Sequence, residues 1–161
     1  MNKTNKALLN ELWKSKQHKD NPSFPIKYLT DYKHSDNSTN GLTKCVVDFL
    51  NYSGHFAERI NSTGRFLPGV KIDEGYAKYQ TNGKYIKGTG VNGTSDISAK
   101  IKLPNHKFAI PVSIEIKFGK DRQSLDQKKY EQNMNNVGAV YIIVRNFDDF
   151  IDWYNEFIVN N

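Results

Sequence analysis

The chain has one cysteine, Cys45, in 161 residues. A lone thiol closes no internal disulfide, and Cys45 falls among apolar residues, which suits a reducing cytoplasm. No apolar run approaches the roughly 20 residues needed to span a bilayer, so a membrane partner is not expected. Residues 1–20 are polar with only short apolar clusters, unlike a secretory signal. The four histidines, His18, His34, His55 and His106, are scattered. They offer no zinc spacing and no Ser-His-Asp or Cys-His arrangement. Gly88-Thr-Gly90 with Gly93 lacks the lysine and hydroxyl that end a phosphate-binding loop. Internal repeats and low-complexity tracts are also missing.

What is present is a globular composition with uneven charge. Nine Tyr and nine Phe, with 37% hydrophobic residues, exclude a disordered chain. The net charge of +6 is concentrated: residues 65–107 hold 8 basic and 3 acidic side chains, whereas residues 132–161 hold 1 and 4. A polyanion is therefore steered toward the middle of the chain.

Residues 3–17 read as a short amphipathic helix with Leu8, Leu9, Leu12 and Trp13 on one side. Residues 18–40 read as polar, mostly extended linker containing Pro22 and Pro25. This divides the chain into an N-terminal extension over 1–39 and a compact domain over 40–161. Leu42, Val46, Phe49 and Leu50 recur at helical spacing before Gly54, and 55–61 reads as a strand. Seven of the eleven glycines fall from Gly64 to Gly93. They surround an Asn82-Gly83 hairpin signal flanked by Tyr76, Tyr79, Tyr85 and Ile86. A helix is expected over 124–137, then a strand buried on both faces over 139–144. The closing helix, 147–158, places Phe147, Phe150, Ile151, Tyr154, Phe157 and Ile158 on one stripe, with Asp148, Asp149, Asp152 and Glu156 facing water.

The chemistry lies in Gly93-Thr-Ser-Asp96 and, after a gap of 18 residues, Glu115-Ile-Lys117. In 96–103 and 112–117 apolar and polar residues alternate, so Asp96 sits on one polar face and Glu115 with Lys117 on another. Pairing of the two strands makes those faces coincide. Two carboxylates so placed can hold a divalent cation, and the lysine points the same way. The competing readings are an exposed strand face with a weak Glu115–Lys117 pair and an Asp96 that only organises its turn. Ser124-Leu-Asp-Gln127 is a capping-box pattern, yet Gln127 shares a helical face with Tyr130, Met134 and Val137 that turns toward the sheet. Both roles for Gln127 stay open.

The order helix, three strands, helix, strand (αβββαβ), with Asp and Glu-X-Lys on adjacent strands, resembles the PD-(D/E)XK nuclease superfamily, and within it the VRR-NUC family. Arg59-Ile-Asn61 with Gly64, Gly93-Thr-Ser-Asp96-Ile97, Ile114-Glu115-Ile-Lys117, Gln127-Lys-Lys-Tyr130 and Gly138-Ala-Val-Tyr-Ile-Ile carry the resemblance over about residues 41–145. It implies an α/β fold, a central mixed sheet flanked by helices. The implied activity is that of a Mg2+- or Mn2+-dependent deoxyribonuclease, an ester-bond hydrolase selective for branched, flapped or junction DNA. The alternative is a binding module that does not cleave. Asp96, Glu115 and the Ile116 carbonyl are the implied metal ligands. Asp96, Glu115, Lys117 and Gln127 are the implied catalytic set, with Lys117 positioning water or phosphate. A bacterial or phage-infected cytoplasm and a homodimer also fit, because two strands must be cut symmetrically.

One departure concerns the first core helix, where many relatives carry an early glutamate. Here Asn40-Gly-Leu-Thr43-Lys holds no carboxylate, which leaves Glu58, or Asp48, as an auxiliary. For nucleic-acid contact, Arg59, Asn61, Lys87, Lys120 and Arg122 lead, within a wider basic set of Lys84, Lys100, Lys102, Lys128 and Lys129. Tyr76, Tyr79 and Tyr85 suit stacking on unpaired bases and are equally natural hairpin residues.

Overall fold

The computed structural model describes residues 1–61, 64–69, 71–73, 78–80, 82–86, 88, 90–104 and 106–161. In chain order these form α1 (Lys3–Asp20), a 3-10 turn (Ile26–Tyr28), α2 (Thr39–Tyr52), β1 (Phe56–Arg59), β2 (Arg65–Leu67), β3 (Lys71–Asp73), β4 (Lys78–Gln80), β5 (Lys84–Ile86), β6 (Ile97–Lys102), β7 (Ala109–Ile116), α3 (Leu125–Asn136), β8 (Val140–Val144) and α4 (Phe147–Asn160). The result is a mixed α/β fold around a four-stranded sheet of order β1-β6-β7-β8. The first two pairings are antiparallel, and β7 runs parallel to β8. No helix among the described residues is long and apolar enough to cross a membrane.

Register sorts the sheet into two faces. Ile97 pairs with Ile114 and Ala99 with Val112, and β8 extends these rows with Ile142 and Val140. Against this apolar face packs α2, whose Leu42, Cys45, Val46, Phe49 and Leu50 are buried at helical spacing. Phe49 meets Phe147, Phe150 and Tyr154 of α4 edge-on, with centroids 5.0–5.9 Å apart. Such contacts add to area burial. The opposite face carries Glu58, Ser98, Ser113, Glu115 and Tyr141, because Glu58 pairs with Ser98, Ser98 with Ser113, and Ser113 with Tyr141. Among the described residues, α3 lies along that side, beside β8, and none of its residues is buried.

α1 packs onto this core. Leu9 is fully buried in the same cluster, and Leu12 packs against it. Asn2 caps α1, accepting from Asn5 N at 2.8 Å. Asp148 accepts from Asn2 N (2.9 Å) and from Asn5 Nδ2 (2.7 Å). Asp148 thus joins α4 to α1 instead of facing water, which corrects the stripe reading: the start of α4 abuts the N-terminal end of α1, whose dipole attracts a carboxylate. α1 also continues to Asp20, past the expected residue 17.

Two further expectations are corrected. β8 is an edge strand, and Ile143 is 39% exposed, so it is not buried on both faces. An unbroken apolar run fits an edge parallel strand as well as a central one. The Asn82-Gly83 signal does not close a hairpin between β4 and β5 either. β2 pairs with β5 and β3 with β4, in one shared register: Leu67↔Lys84 continued inward leads to Lys71↔Gln80. The two ladders thus follow one register as a two-stranded ribbon, and Pro68, which brings no N–H to a ladder, stands directly after β2. Gly83 is not among the positive-φ glycines, so Asn82-Gly83 forms no type I′ turn. A side chain at 83 would instead strike the Phe66 ring.

Candidate active site

β6 begins at Ile97, and one more step of its register with β7 sets Asp96 opposite Glu115. Asp96 Oδ2 accepts from Ile116 N at 2.9 Å. The N–H and C=O of a strand residue project to the same side, so the Ile116 carbonyl faces Asp96 as well. Asp96 in turn holds β1 through its own carbonyl, which accepts from Ile60 N at 2.8 Å. The expected metal ligands Asp96, Glu115 and Ile116 therefore lie together on one end of the sheet.

Glu115 is 1% exposed, and Lys117 is 5% exposed. Lys117 Nζ lies 3.0 Å from Glu115 Oε1, 3.0 Å from Gln127 Oε1 and 3.3 Å from Asp121 Oδ2. Gln127 Nε2 donates to Glu115 Oε1. Gln127 Oε1 also accepts from Ser124 N at 2.9 Å, while Gln127 N donates to Ser124 Oγ at 3.2 Å. The two readings of Gln127 are thus compatible: the same amide completes the capping box and bridges the buried pair.

Burial pushes the Glu115 carboxyl up. The Lys117 hydrogen bond opposes this, and the nearby Asp96 charge adds to it. Burial pulls Lys117 down, but the hydrogen bond and charge of Glu115, with Asp121, outweigh it, and its pKa is raised. Lys117 is therefore a fixed cation at neutral pH, suited to orienting an anion rather than accepting a proton.

Backbone packing ties these groups together. Gly93 has φ +76°, and a Cβ there would overlap the Asp126 carbonyl and stand 2.6 Å from Gln127 N. The turn that carries Asp96 is thereby pressed against the first turn of α3. On the other side of Asp96 opens a cleft of about 540 Å³, lined by Asn40, Arg59, Ile60, Asn61, Thr94 and Ser95 with Asp96. Arg59 Nη1 donates to Asn40 Oδ1 at 3.0 Å, so the start of α2 offers an amide where a carboxylate was sought.

The remaining candidates divide. Arg59 and Asn61 line the cleft, as expected of neighbours two apart on one strand. Glu58 shares the face of Asp96, but it is half-exposed and turned to Lys100 at 3.4 Å. Asp48 is buried on the other side, held by Tyr32 Oη at 2.7 Å and Lys44 Nζ at 3.0 Å. Neither carboxylate joins Glu115. Lys100 is engaged with Glu58, with Ser98 Oγ at 2.8 Å and with the Phe56 ring. Lys120 and Arg122 are exposed on the loop before α3, and Lys84, Lys102, Lys128 and Lys129 are exposed. Lys87 and Tyr76 lie outside the described residues.

No family model matches the chain, and neither does any curated protein or solved structure. Among the described residues no group of three or more His, Cys, Asp or Glu is placed to hold a metal ion. What exists is a pair of carboxylates with a backbone carbonyl, all oxygen donors. That set fits a hard divalent cation which keeps several waters.

Two residues escaped the sequence reading. Tyr141, 8% exposed, donates to Glu115 Oε2 at 3.4 Å. Its ring meets Tyr130 at 6.3 Å. Asp121 supplies the third contact to Lys117. The Tyr was hidden in an apolar run, although its hydroxyl marks it as the polar member of that run. Asp121 is four residues beyond Lys117 in a loop, where no periodicity points to it.

Proposed function

We propose that this chain is a Mg2+- or Mn2+-dependent endonuclease that hydrolyses DNA phosphodiesters, on a PD-(D/E)XK nuclease-like core of the VRR-NUC type. The observation that carries the reading is the convergence of Asp96, Glu115, Lys117 and Gln127 at one end of the sheet, beside an open polar cleft. Asp96, Glu115 and the Ile116 carbonyl would hold the cation. When bound, it supplies charge for the scissile phosphate and acidifies a water.

The protein's own groups do the rest. Lys117, kept charged by Glu115 and Asp121, offers its ammonium to a phosphate oxygen or to the attacking water. Gln127 holds Glu115 and Lys117 in register from α3. Tyr141 steadies the far oxygen of Glu115. Arg59, at the mouth of the cleft, meets the backbone of the strand. The donor set supports a single cation, since Glu58 and Asp48 are committed elsewhere. A bacterial or phage-infected cytoplasm and a homodimer belong to the same reading.

One observation favours the second reading, a non-cleaving DNA-binding module: Lys117, Gln127 and Tyr141 already occupy Glu115. One assay separates the two. Single-stranded, duplex, flap and four-way-junction DNA are incubated with Mg2+, Mn2+ or EDTA. Cutting is expected with metal only, and Asp96→Ala and Glu115→Ala abolish it. Binding without cutting under every metal condition establishes the second reading, and full activity in Glu115→Ala overturns the assigned ligands.

A further inference from the structure

The β2–β5 ladder carries Phe66 and Tyr85 directly opposite each other, so both stand on one face of the ribbon. They are 63% and 62% exposed. The Phe66 ring lies across Gly83, where any Cβ would strike three of its carbons. One side of the ring thus rests on backbone while the ring as a whole stays open to solvent. Among the described residues, the ribbon strands make no substantial packing with the four-stranded sheet or its helices. An aromatic pair this exposed and held by its own ladder is costly to leave bare.

The ribbon is rooted at the cleft. Asn61 lines the cleft, and Arg65 opens β2 four residues later, a covalent reach of at most about 14 Å. The returning chain ends at Thr94, Ser95 and Asp96, again in the cleft. From 65 to 87 the sequence holds five basic residues and two acidic ones, so the segment attracts a polyanion. Exposed aromatic rings on a segment of net positive charge are what unpaired bases and their phosphates require together. A duplex buries its base faces and gives such rings nothing to stack on.

We propose that Phe66 and Tyr85 form a stacking platform for unpaired bases, holding a single DNA strand that leaves the cleft beside Asp96. The platform rests on the nuclease reading for the fate of that strand, since a substrate would then carry unpaired nucleotides next to the bond that is cut. Binding to the platform needs no metal, so it is measured apart from cleavage.

The test is fluorescence anisotropy in EDTA with a labelled oligothymidylate, and with a labelled duplex of equal length. Phe66→Ala and Tyr85→Ala are each expected to weaken oligothymidylate binding roughly fivefold to a hundredfold. Duplex binding changes much less, and Phe66→Tyr and Tyr85→Phe retain affinity. Thermal midpoints equal to the parent's show that the variants are folded. Equal losses on duplex and single strand, or no loss on either, overturn the proposal. So does a concentration-dependent dimer in sedimentation that the two alanine variants abolish, because a second copy is then the occupant. Platform binding without cleavage in Mg2+ supports the proposal and refutes only the nuclease reading. Cleavage that is indifferent to both alanine variants, with unchanged single-strand affinity, does the reverse.

Discussion

The two faces of the central sheet are built on opposite principles. One is a continuous apolar layer in which α1, α2 and α4 interlock around Leu9, Leu42, Phe49 and Phe147. The other has a helix with no buried residue, fastened to the sheet by Gln127 and by a Tyr130–Tyr141 contact. Hydrophobic burial stabilises each side chain of the first face by roughly 1.5–3 kcal/mol. On the second, Glu115 and Lys117 are sealed from water as charges, which costs free energy unless they are mutually satisfied. The first face therefore sets whether the chain folds, and the second what it can do.

Four substitutions or conditions sharpen that contrast, in decreasing order of effect. Phe49→Ala removes the ring at the centre of the α2–α4 contact. It should cost about 3–5 kcal/mol, read as a fall in thermal midpoint on the order of 10 °C. Surviving folded protein should keep its affinity for metal.

Glu115→Gln acts on the other face. It leaves the buried Lys117 ammonium with Asp121 and Gln127 alone, a loss of about 3 kcal/mol. Cleavage falls on the order of a hundredfold or more. Adding Lys117→Met should restore most of the thermal stability and none of the activity. Recovery of activity would show that Glu115 serves only to satisfy Lys117.

Gly93→Ala forces an L-residue to φ +76° and drives a methyl into the α3 first turn. A loss of about 1–3 kcal/mol is expected. It should be accompanied by weaker Mn2+ binding in titration calorimetry, because Gln127 shifts from Glu115. Lost stability with unchanged Mn2+ affinity would confine Gly93 to a packing role.

The smallest effect concerns pH. His55 Nδ1 accepts from Lys102 N at 3.2 Å, so the neutral ring carries its proton on Nε2 and donates to Tyr154 Oη at 2.7 Å. Burial lowers its pKa from 6.5. The unfolded chain then takes up the proton first, so stability is complete above about pH 6.5 and declines as pH falls through the lower folded value. Denaturant titrations from pH 7.5 to 5 should show this slope, and His55→Gln should flatten it.

The parts of this fold that repeat were legible in the sequence. The period-two pattern over 96–103 and 112–117 showed which side chains share a face, and register did the rest. The capping box was legible because Ser124 and Gln127 are three residues apart. Long-range partners were not. Nothing local tells Asp148 that it will meet the start of α1, or Tyr141 that its strand neighbour places it beneath Glu115. The ribbon misled for a different reason. Asn-Gly is a strong turn signal in isolation, but Pro68 across the ladder and the Phe66 ring over Gly83 use that glycine for clearance instead of for its left-handed freedom.

Cys45 is fully buried, and desolvation pushes its thiol up to about 12. At neutral pH it forms almost no thiolate and is shielded from reagents. The chain is therefore a ready-made blank for site-directed labelling. A single cysteine introduced at an exposed position such as Val91 or Leu125 becomes the sole reactive sulfur, with no native residue to remove. Spin or fluorescent probes can then follow the ribbon root and α3 separately, on otherwise native protein.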